Sequence, residues 1–448
     1  MIRTSRATRA EAGKALRRKL PRSAHARWAP PPDRPDPVTL LGEAARTLDP
    51  RLVPIRHARM ARSAFFFLRG AGAVMTCDLA STPTTGLRAQ LCGDAHLNNF
   101  GILATPERLE VFDVNDFDET LRGPWEWDVK RLAASIAVAG RDNGFSRPDI
   151  HRGIRRAVRT YREAMERYST MRFLDIWYDH LDRRRIAEHV DRLTRREVAV
   201  DMRRARRRTS LRAFPKLARS VGNEFRIRDD PPLIFHDRRG GASAESAPLF
   251  ARYVRSLPEE RRTLLDRYRV VDVARKVVGV GSVGTACFVV LLMGDPDLED
   301  PLFLQVKEAR ASVLEPYVGP SPYSNHAERV VTGQRLIQEA SDVFLGFSRL
   351  GTRDVYVRQL RDMKFSPDVT VATPRSLAGK AALCGATLAR AHARTGDAAA
   401  IAGYLGARPI FEEAIVQFAE AYADQTARDY RAFLRAIRSG RLPVGRAA

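Results

Sequence analysis

At 448 residues, with 44% hydrophobic residues and a formal net charge of +23, the chain is long enough to bury a large core and divide into two lobes. No apolar run approaches the ~20 residues needed to span a bilayer; the longest obvious one, Ala286 to Met293, is far shorter, so a soluble chain with no membrane partner is expected. The four cysteines, Cys77, Cys92, Cys287 and Cys384, have no C-x-x-C spacing, which speaks against a zinc site or a disulfide frame and for free thiols in a reducing, cytoplasmic setting.

Residues 1–36 are rich in Arg, Ala and Pro and lack the apolar core of a secretory signal, so a disordered basic tail is expected there, ending in the linker Pro30-Pro31-Pro32-Asp33-Arg34-Pro35. Residues 37–147 begin with a mostly helical pattern from Val38 to about Leu79, broken by Ser81-Thr82-Pro83. A strand over Gln90-Leu91-Cys92 then leads into Gly93-Asp94-Ala95-His96-Leu97-Asn98-Asn99. Gly93 permits a tight turn from which Asp94 can accept the proton of a hydroxyl nucleophile. Asn99, five residues on, offers an amide oxygen of the kind that binds Mg2+. A second strand, Leu109 to Phe112, delivers acidic residues at its end, and Asp116 is the first choice for a metal ligand. The segment Gly123-Pro124-Trp125-Glu126-Trp127-Asp128 opens a helix through Ser135.

Residues 148–247 read as a helical basic insert, with the run Arg203 to Arg208 as a solvated helix face. Its end, 226–247, has Pro231-Pro232 and Gly240-Gly241 and marks a lobe boundary. Residues 248–365 form a β-rich lobe in which Val270 to Val278, Ala286 to Met293 and Pro301 to Val306 predict an antiparallel meander. The first turn carries Gly279-Val280-Gly281-Ser282-Val283-Gly284. A G-x-G-x-x-G is weak by itself, but the β-rich sequence after it favours a glycine hairpin closing over phosphates rather than a dinucleotide fold. Lys307, at the end of the third strand, is placed to neutralise those phosphates. Of two acids on the following helix, Ser324 to Ser341, Glu328 is preferred over Glu339 as its partner. Strands over Val343 to Phe347 and Val355 to Leu360 follow. Helices over most of 375–437 place 366–448 back in the helical lobe, with His392 in a structural role.

Only eight of the 76 basic residues are lysine, a skew that fits genome base composition as well as any ligand. The field still favours anions, nucleotides among them. Nucleic acid is the rival partner, but the arginines are not interleaved with aromatics and no nucleic-acid motif is present.

Gly93-Asp94-x-His96-x-x-Asn99 resembles the G-D-x-H-x-x-N catalytic loop of the aminoglycoside-phosphotransferase branch of the protein-kinase-like superfamily, with Cys92 in place of its leading histidine. Asp116-Phe117-Asp118 resembles that superfamily's metal-binding segment, and Gly123 to Val129 the element whose Asp braces the catalytic loop. The resemblance implies an α+β, two-lobed fold with Asp94 and His96 as catalytic candidates and Asn99, Asp116 and Asp118 as metal ligands. Gly279, Gly281, Gly284, Lys307 and Glu328 would bind the nucleotide. Because the glycine turn and Lys307 follow the catalytic loop by well over a hundred residues, the order implied is a circular permutation. From about Lys14 to Tyr430 the chain also resembles the bacterial family called domain of unknown function 2252, in phrases such as Phe67-Leu68-Arg69-Gly70-Ala71 and Gln305-Val306-Lys307-Glu308-Ala309. The expected function is an ATP-dependent, Mg2+-requiring phosphotransferase acting on an unknown small-molecule or protein acceptor. The alternatives are AMP transfer to protein side chains, a non-enzymatic nucleic-acid-binding protein, and a scaffold that binds ATP without turnover.

Overall fold

The computed structural model describes residues 4–222, 224–236, 243–277, 279–295 and 297–445, so Gly240, Gly241 and Val278, singled out above, lie outside the described residues. The chain is a mixed α+β protein with small antiparallel sheets. Strands β1 (Arg88–Leu91), β2 (Phe100–Ala104), β3 (Glu110–Val114) and β4 (Leu121–Pro124) pair as β1 with β4 and β2 with β3. Strands β5 (Ala218–Val221) and β6 (Glu224–Ile227) make another pair. Six strands, β7 (Ile234–Phe235), β8 (Arg269–Lys276), β9 (Cys287–Met293), β10 (Pro301–Ala309), β11 (Gly346–Leu350) and β12 (Arg353–Gln359), form one sheet in the order β11-β12-β10-β9-β8-β7. The expected meander is β8-β9-β10.

β10 lies between β9 and β12 and is buried along nearly all its length, as a run such as Leu302-Phe303-Leu304 requires. Leu302, Leu304 and Val306 pack with Tyr253, Leu292 and Val357 on one face. Phe303 packs with Phe214, Val289 and Leu291 on the other. Because side chains alternate along a strand, Lys307 leaves β10 on the same face as Phe303 and Gln305.

The helical body is built on Trp125–Asp142, Arg147–Thr170, Pro374–Thr395 and Ile410–Arg438, which share a core containing Trp125, Ile136, Tyr161, Leu388 and Phe418. Arg147–Thr170, expected to open an insert, runs along Pro374–Thr395 so closely that a Cβ on Gly385 would lie 2.1 Å from the Ala157 carbonyl oxygen. The segment after it does carry short helices, Phe173–Tyr178, Arg183–His189, Arg192–Arg206 and Ser210–Leu217. The Arg203 to Arg208 run is exposed on both sides of buried Ala205.

The Arg-rich N-terminus departs from the expected tail. Residues Arg6–Lys19 form a helix that docks on the helix Ala398–Leu405. The last carbonyls of a helix have no partner within it, and the arginines supply one: Arg17 Nε donates to the Tyr404 oxygen at 2.8 Å and Arg22 caps Leu405. Arg9 pairs with Asp397 at 2.7 Å, and Arg34 is shared by Asp78 and Asp429. A composition that suggests solvation here serves helix ends and buried acids.

One buried ion pair ties the sheets to the helical body. Arg390 Nη2 lies 2.7 Å from Asp113 Oδ2 on β3, with both side chains sealed, and Glu339 is 3.8 Å from the same guanidinium. The Glu339 backbone N–H donates to Asp113 at 2.7 Å.

Candidate functional site

β1 ends at Leu91, and the chain then turns sharply through Gly93, whose φ is +81°. A Cβ at Gly93 would lie 2.3 Å from the Glu119 carbonyl oxygen, so both the dihedral and the space call for glycine. The turn is pinned from the start of the Trp125–Asp142 helix: the backbone N–H groups of Cys92 and Gly93 donate to the two Asp128 oxygens at 2.9 and 3.1 Å. Farther along the same helix, Ser135 Oγ accepts from Leu97 N at 3.0 Å. Asp128 is in turn 3.4 Å from His392 Nε2, whose Nδ1 bonds the Tyr161 hydroxyl at 2.9 Å. His392 thus supports the loop from behind.

The pinned loop aims Asp94 into the cleft. Arg131 lies 2.7 Å from Asp94 Oδ1, and His96 Nε2 lies 3.5 Å from Oδ2. Burial, reinforced by Arg69 and Arg131 and opposed by Asp94, pushes the His96 imidazole down to about 3. At neutral pH His96 is therefore uncharged, and the cation beside Asp94 is Arg131. Arg131 also donates to the Leu68 oxygen at 2.9 Å, which fixes it from the opposite side. Asn99 spends its Nδ2 on the carbonyls of Asp94 and Asp116, 3.0 Å from each, so its Oδ1 is directed away from both.

β3 delivers the second acidic group. Phe117 is buried and anchors the turn, which leaves the Asp116 and Asp118 side chains 40% and 27% exposed toward the cleft. Lys307 Nζ sits 3.4 Å from each Asp116 oxygen and bonds Asp118 Oδ2, although 191 residues separate Lys307 from Asp116. Tyr356 donates its hydroxyl to Asp118 Oδ1 at 2.9 Å. Burial pushes the Asp116 carboxyl up, but Lys307, Arg358 and Lys364 outweigh it and hold the group at about 2. Burial opposes the Lys307 charge too, and Asp116 and Asp118 raise it well above the ordinary lysine value. Each charge in this cluster depends on the others.

The glycine turn lies over the N-terminal helices. Gly279 and Gly281 are exposed on a short turn, Val280–Ser282, held by Arg56, whose guanidinium donates to Val280 O at 3.1 Å, to Gly281 O, and to Gly70 O at 2.8 Å. Gly284, with φ +100°, accepts from Asp49 N at 2.8 Å. A Cβ on Gly281 would come 3.8 Å from the Arg69 carbonyl, which sets the turn beside the helix Ala64–Gly70.

Asp94, His96, Asn99, Asp116, Asp118 and Lys307 thus converge. Glu328 does not join them: among the described residues no ion pair links it to Lys307, which lies against Asp116 and Asp118 instead. Its neighbour Arg329 is the buried side chain of that turn and donates to Thr120 O at 2.6 Å and to Asp118 O at 2.8 Å. Arg131, Arg329, Arg56 and Tyr356 are not foreseen from the sequence. Arg131 carried a signal, since it follows Asp128 by three residues and so shares its helix face.

A family model described as "Uncharacterized protein conserved in bacteria (DUF2252)" matches residues 46–436. The chain belongs to this family. The DUF2252 match takes in every residue of the site, from Arg56 to His392, and stops short of the docked N-terminal helix. Comparison with curated proteins and with solved structures returns no match. Among the described residues of this DUF2252 chain no cluster of three or more His, Cys, Asp or Glu is built to hold a metal alone, and no helix is long and apolar enough to cross a membrane. The site brings together a carboxylate fixed by Arg131, two further carboxylates near an amide oxygen, and a lysine resting on them, while the glycine turn sits over Val53–Met60 and Ala64–Gly70.

Proposed function

We propose that the chain is an ATP-dependent, Mg2+-requiring phosphotransferase with a permuted protein-kinase-like arrangement, acting on a hydroxyl-bearing acceptor. The observation that carries this reading is Lys307 resting against Asp116 and Asp118 from the far side of the sequence. Phosphoryl transfer asks the protein mainly for positioning and charge neutralisation, and this cluster concentrates both.

In this reading Asp94 accepts or orients the acceptor hydroxyl proton, with Arg131 fixing its Oδ1 and His96 beside its Oδ2. Lys307 neutralises nucleotide phosphates, and the exposed backbone at Gly279 and Gly281 covers them, with Gly284 shaping the turn. Asp118 takes the role expected of Glu328 and holds Lys307 in place. Asp116, Asp118 and the Asn99 Oδ1 are the donors for Mg2+. They fit it: Asp116 stays ionised down to about 2, and Mg2+ characteristically takes one or two carboxylates and shares its other positions with water and phosphate. When bound, the metal supplies neutralisation of the phosphate oxygens. His96, uncharged, orients Asp94.

Several surface arginines are paired with acids of neighbouring helices rather than left free for a nucleic acid. Arg155 binds Glu413, Arg162 binds Glu412 and Arg141 binds Asp424, each at 2.7 to 2.8 Å.

The test uses ATP labelled at either its γ or its α phosphate, with Mg2+ and a bacterial metabolite and protein extract as the acceptor source. Transfer from the γ label alone is the expected result. Transfer of the α label would replace this reading with nucleotidyl transfer, and transfer of neither by protein that binds ATP would replace it with a scaffold.

A further inference from the structure

We propose that the acceptor is a small molecule bearing an anionic group, phosphate or carboxylate, besides its reacting hydroxyl, and that Arg69 recognises that anion. This rests on the phosphotransferase reading and deepens it. Arg69 lies on the helix Ala64–Gly70, which with Val53–Met60 walls the Asp94 side of the cleft. Its guanidinium is stacked 5.3 Å from the Phe66 ring and 6.0 Å from the Phe65 ring, and Phe65 meets His96 edge-on at 6.5 Å. The side chain therefore points at the same loop that carries Asp94.

Among the described residues no acceptor of the protein occupies the Arg69 guanidinium. Its Nε is sealed from solvent without a hydrogen-bond partner, and among the described residues Arg69 makes no ion pair. Of the arginines around it, Arg56 is spent on the carbonyls of Gly70, Val280 and Gly281 and Arg131 on Asp94 and the Leu68 oxygen, while Arg62 lies 4.5 Å over the same Phe66 ring and adds to the positive field. The nearby acids are spent as well. Asp94 belongs to Arg131, and Asp368 caps its own turn through Thr370 N at 3.0 Å and Thr370 Oγ1 at 2.9 Å.

Sealing the Arg69 Nε from water without an acceptor is costly, while the rest of the half-buried guanidinium stays open to a ligand. Stacking on two rings orients it but satisfies none of its donors. A rigid, planar fork with free N–H groups is suited to a phosphate or carboxylate. Lys380, whose Nζ donates to Pro367 O at 3.1 Å, faces the same corner and adds to its positive field. The nucleotide phosphates have their own cation in Lys307, beside Asp116. An anion on Arg69 would instead be on the Asp94 side, where the acceptor hydroxyl has to lie.

The test is a thermal-shift titration of the full chain saturated with Mg2+ and a non-hydrolysable ATP analogue. Inorganic phosphate and acetate are added against chloride at matched ionic strength, for wild type, Arg69→Gln and Arg69→Lys. Saturating the nucleotide site first leaves the second anion site to report. Wild type is expected to gain further stability from phosphate or acetate, the stronger of the two naming the group. Arg69→Gln should bind that anion about tenfold or more weakly, as for loss of a charge-assisted bond, and Arg69→Lys should fall between. Both variants should keep the wild-type response to the nucleotide. No anion response in wild type, an undiminished one in Arg69→Gln, or loss of the nucleotide response in Arg69→Gln would each overturn the inference. Failure of wild type to respond to nucleotide overturns the phosphotransferase reading instead, and phosphate added to the nucleotide-free protein then decides Arg69 alone.

Discussion

Asp116→Asn is expected to lower turnover by about two to three orders of magnitude, the usual cost of removing one preorganised charge from the reacting centre. The protein should stay folded. The Asp116 side chain is 40% exposed and its bonds are few: its own turn at Phe117 N, 3.0 Å away, and the shared contact with Lys307. Asparagine retains an oxygen for the first, and Asp118 still holds Lys307 for the second. What is lost is a full negative charge kept ionised by three surrounding cations. ADP formation, followed beside a thermal melt, checks this: lost turnover with an unchanged melt is the predicted pair, and full turnover would remove Asp116 from the site.

Arg390→Met should do the reverse, acting on the fold. Asp113 and Glu339 both have fully buried side chains and lose their shared counter-charge together. Removing one partner of a buried pair costs roughly 3–5 kcal/mol because the other charge is stranded. The deficit should also depend on pH. Burial raises Glu339 from 4.5 to about 8, so the folded state keeps a proton that the unfolded chain gives up. The stability from that proton is fully present below about 4.5 and is lost as pH rises through about 8. Without Arg390 the Glu339 carboxyl is pushed up further, so both proteins lose stability in parallel up to about pH 8 and the gap between variant and wild type should widen only above it. Urea unfolding at about pH 7 and about pH 9 measures it, and a variant as stable as wild type at both would show that the pair does not support the fold.

The parts of the site legible in the sequence are those whose meaning is local. Gly93 needs a left-handed turn, and Asp94 and Asn99 follow it at fixed spacing. Asp128, a turn into the next helix, meets the loop because its helix starts where β4 ends. The strands β8, β9 and β10 are legible as β-rich runs between turns. Contacts made across the sheet are not. Lys307 meets Asp118 because β10 projects it on the Phe303 face, and only the paired register settles that. On the next helix one residue turns the side chain by about 100°, so Glu328 faces away and Arg329 inward. The N-terminal helix was illegible for another reason. Its Arg17, with Arg22 just beyond it, binds backbone carbonyls at the end of Ala398–Leu405, and carbonyls leave no trace in composition.

The most direct test of the central claim, that two distant segments make one nucleotide site, is calorimetric titration of ATP with Mg2+ into wild type, Asp116→Asn, Lys307→Ala and the double variant. The account predicts that wild type binds, that removing Mg2+ weakens binding, and that each single variant binds about tenfold or more weakly. The double variant should lose less than the product of the two effects, as neighbours in one network do. Binding that neither substitution changes, or no binding by folded wild type, would contradict it.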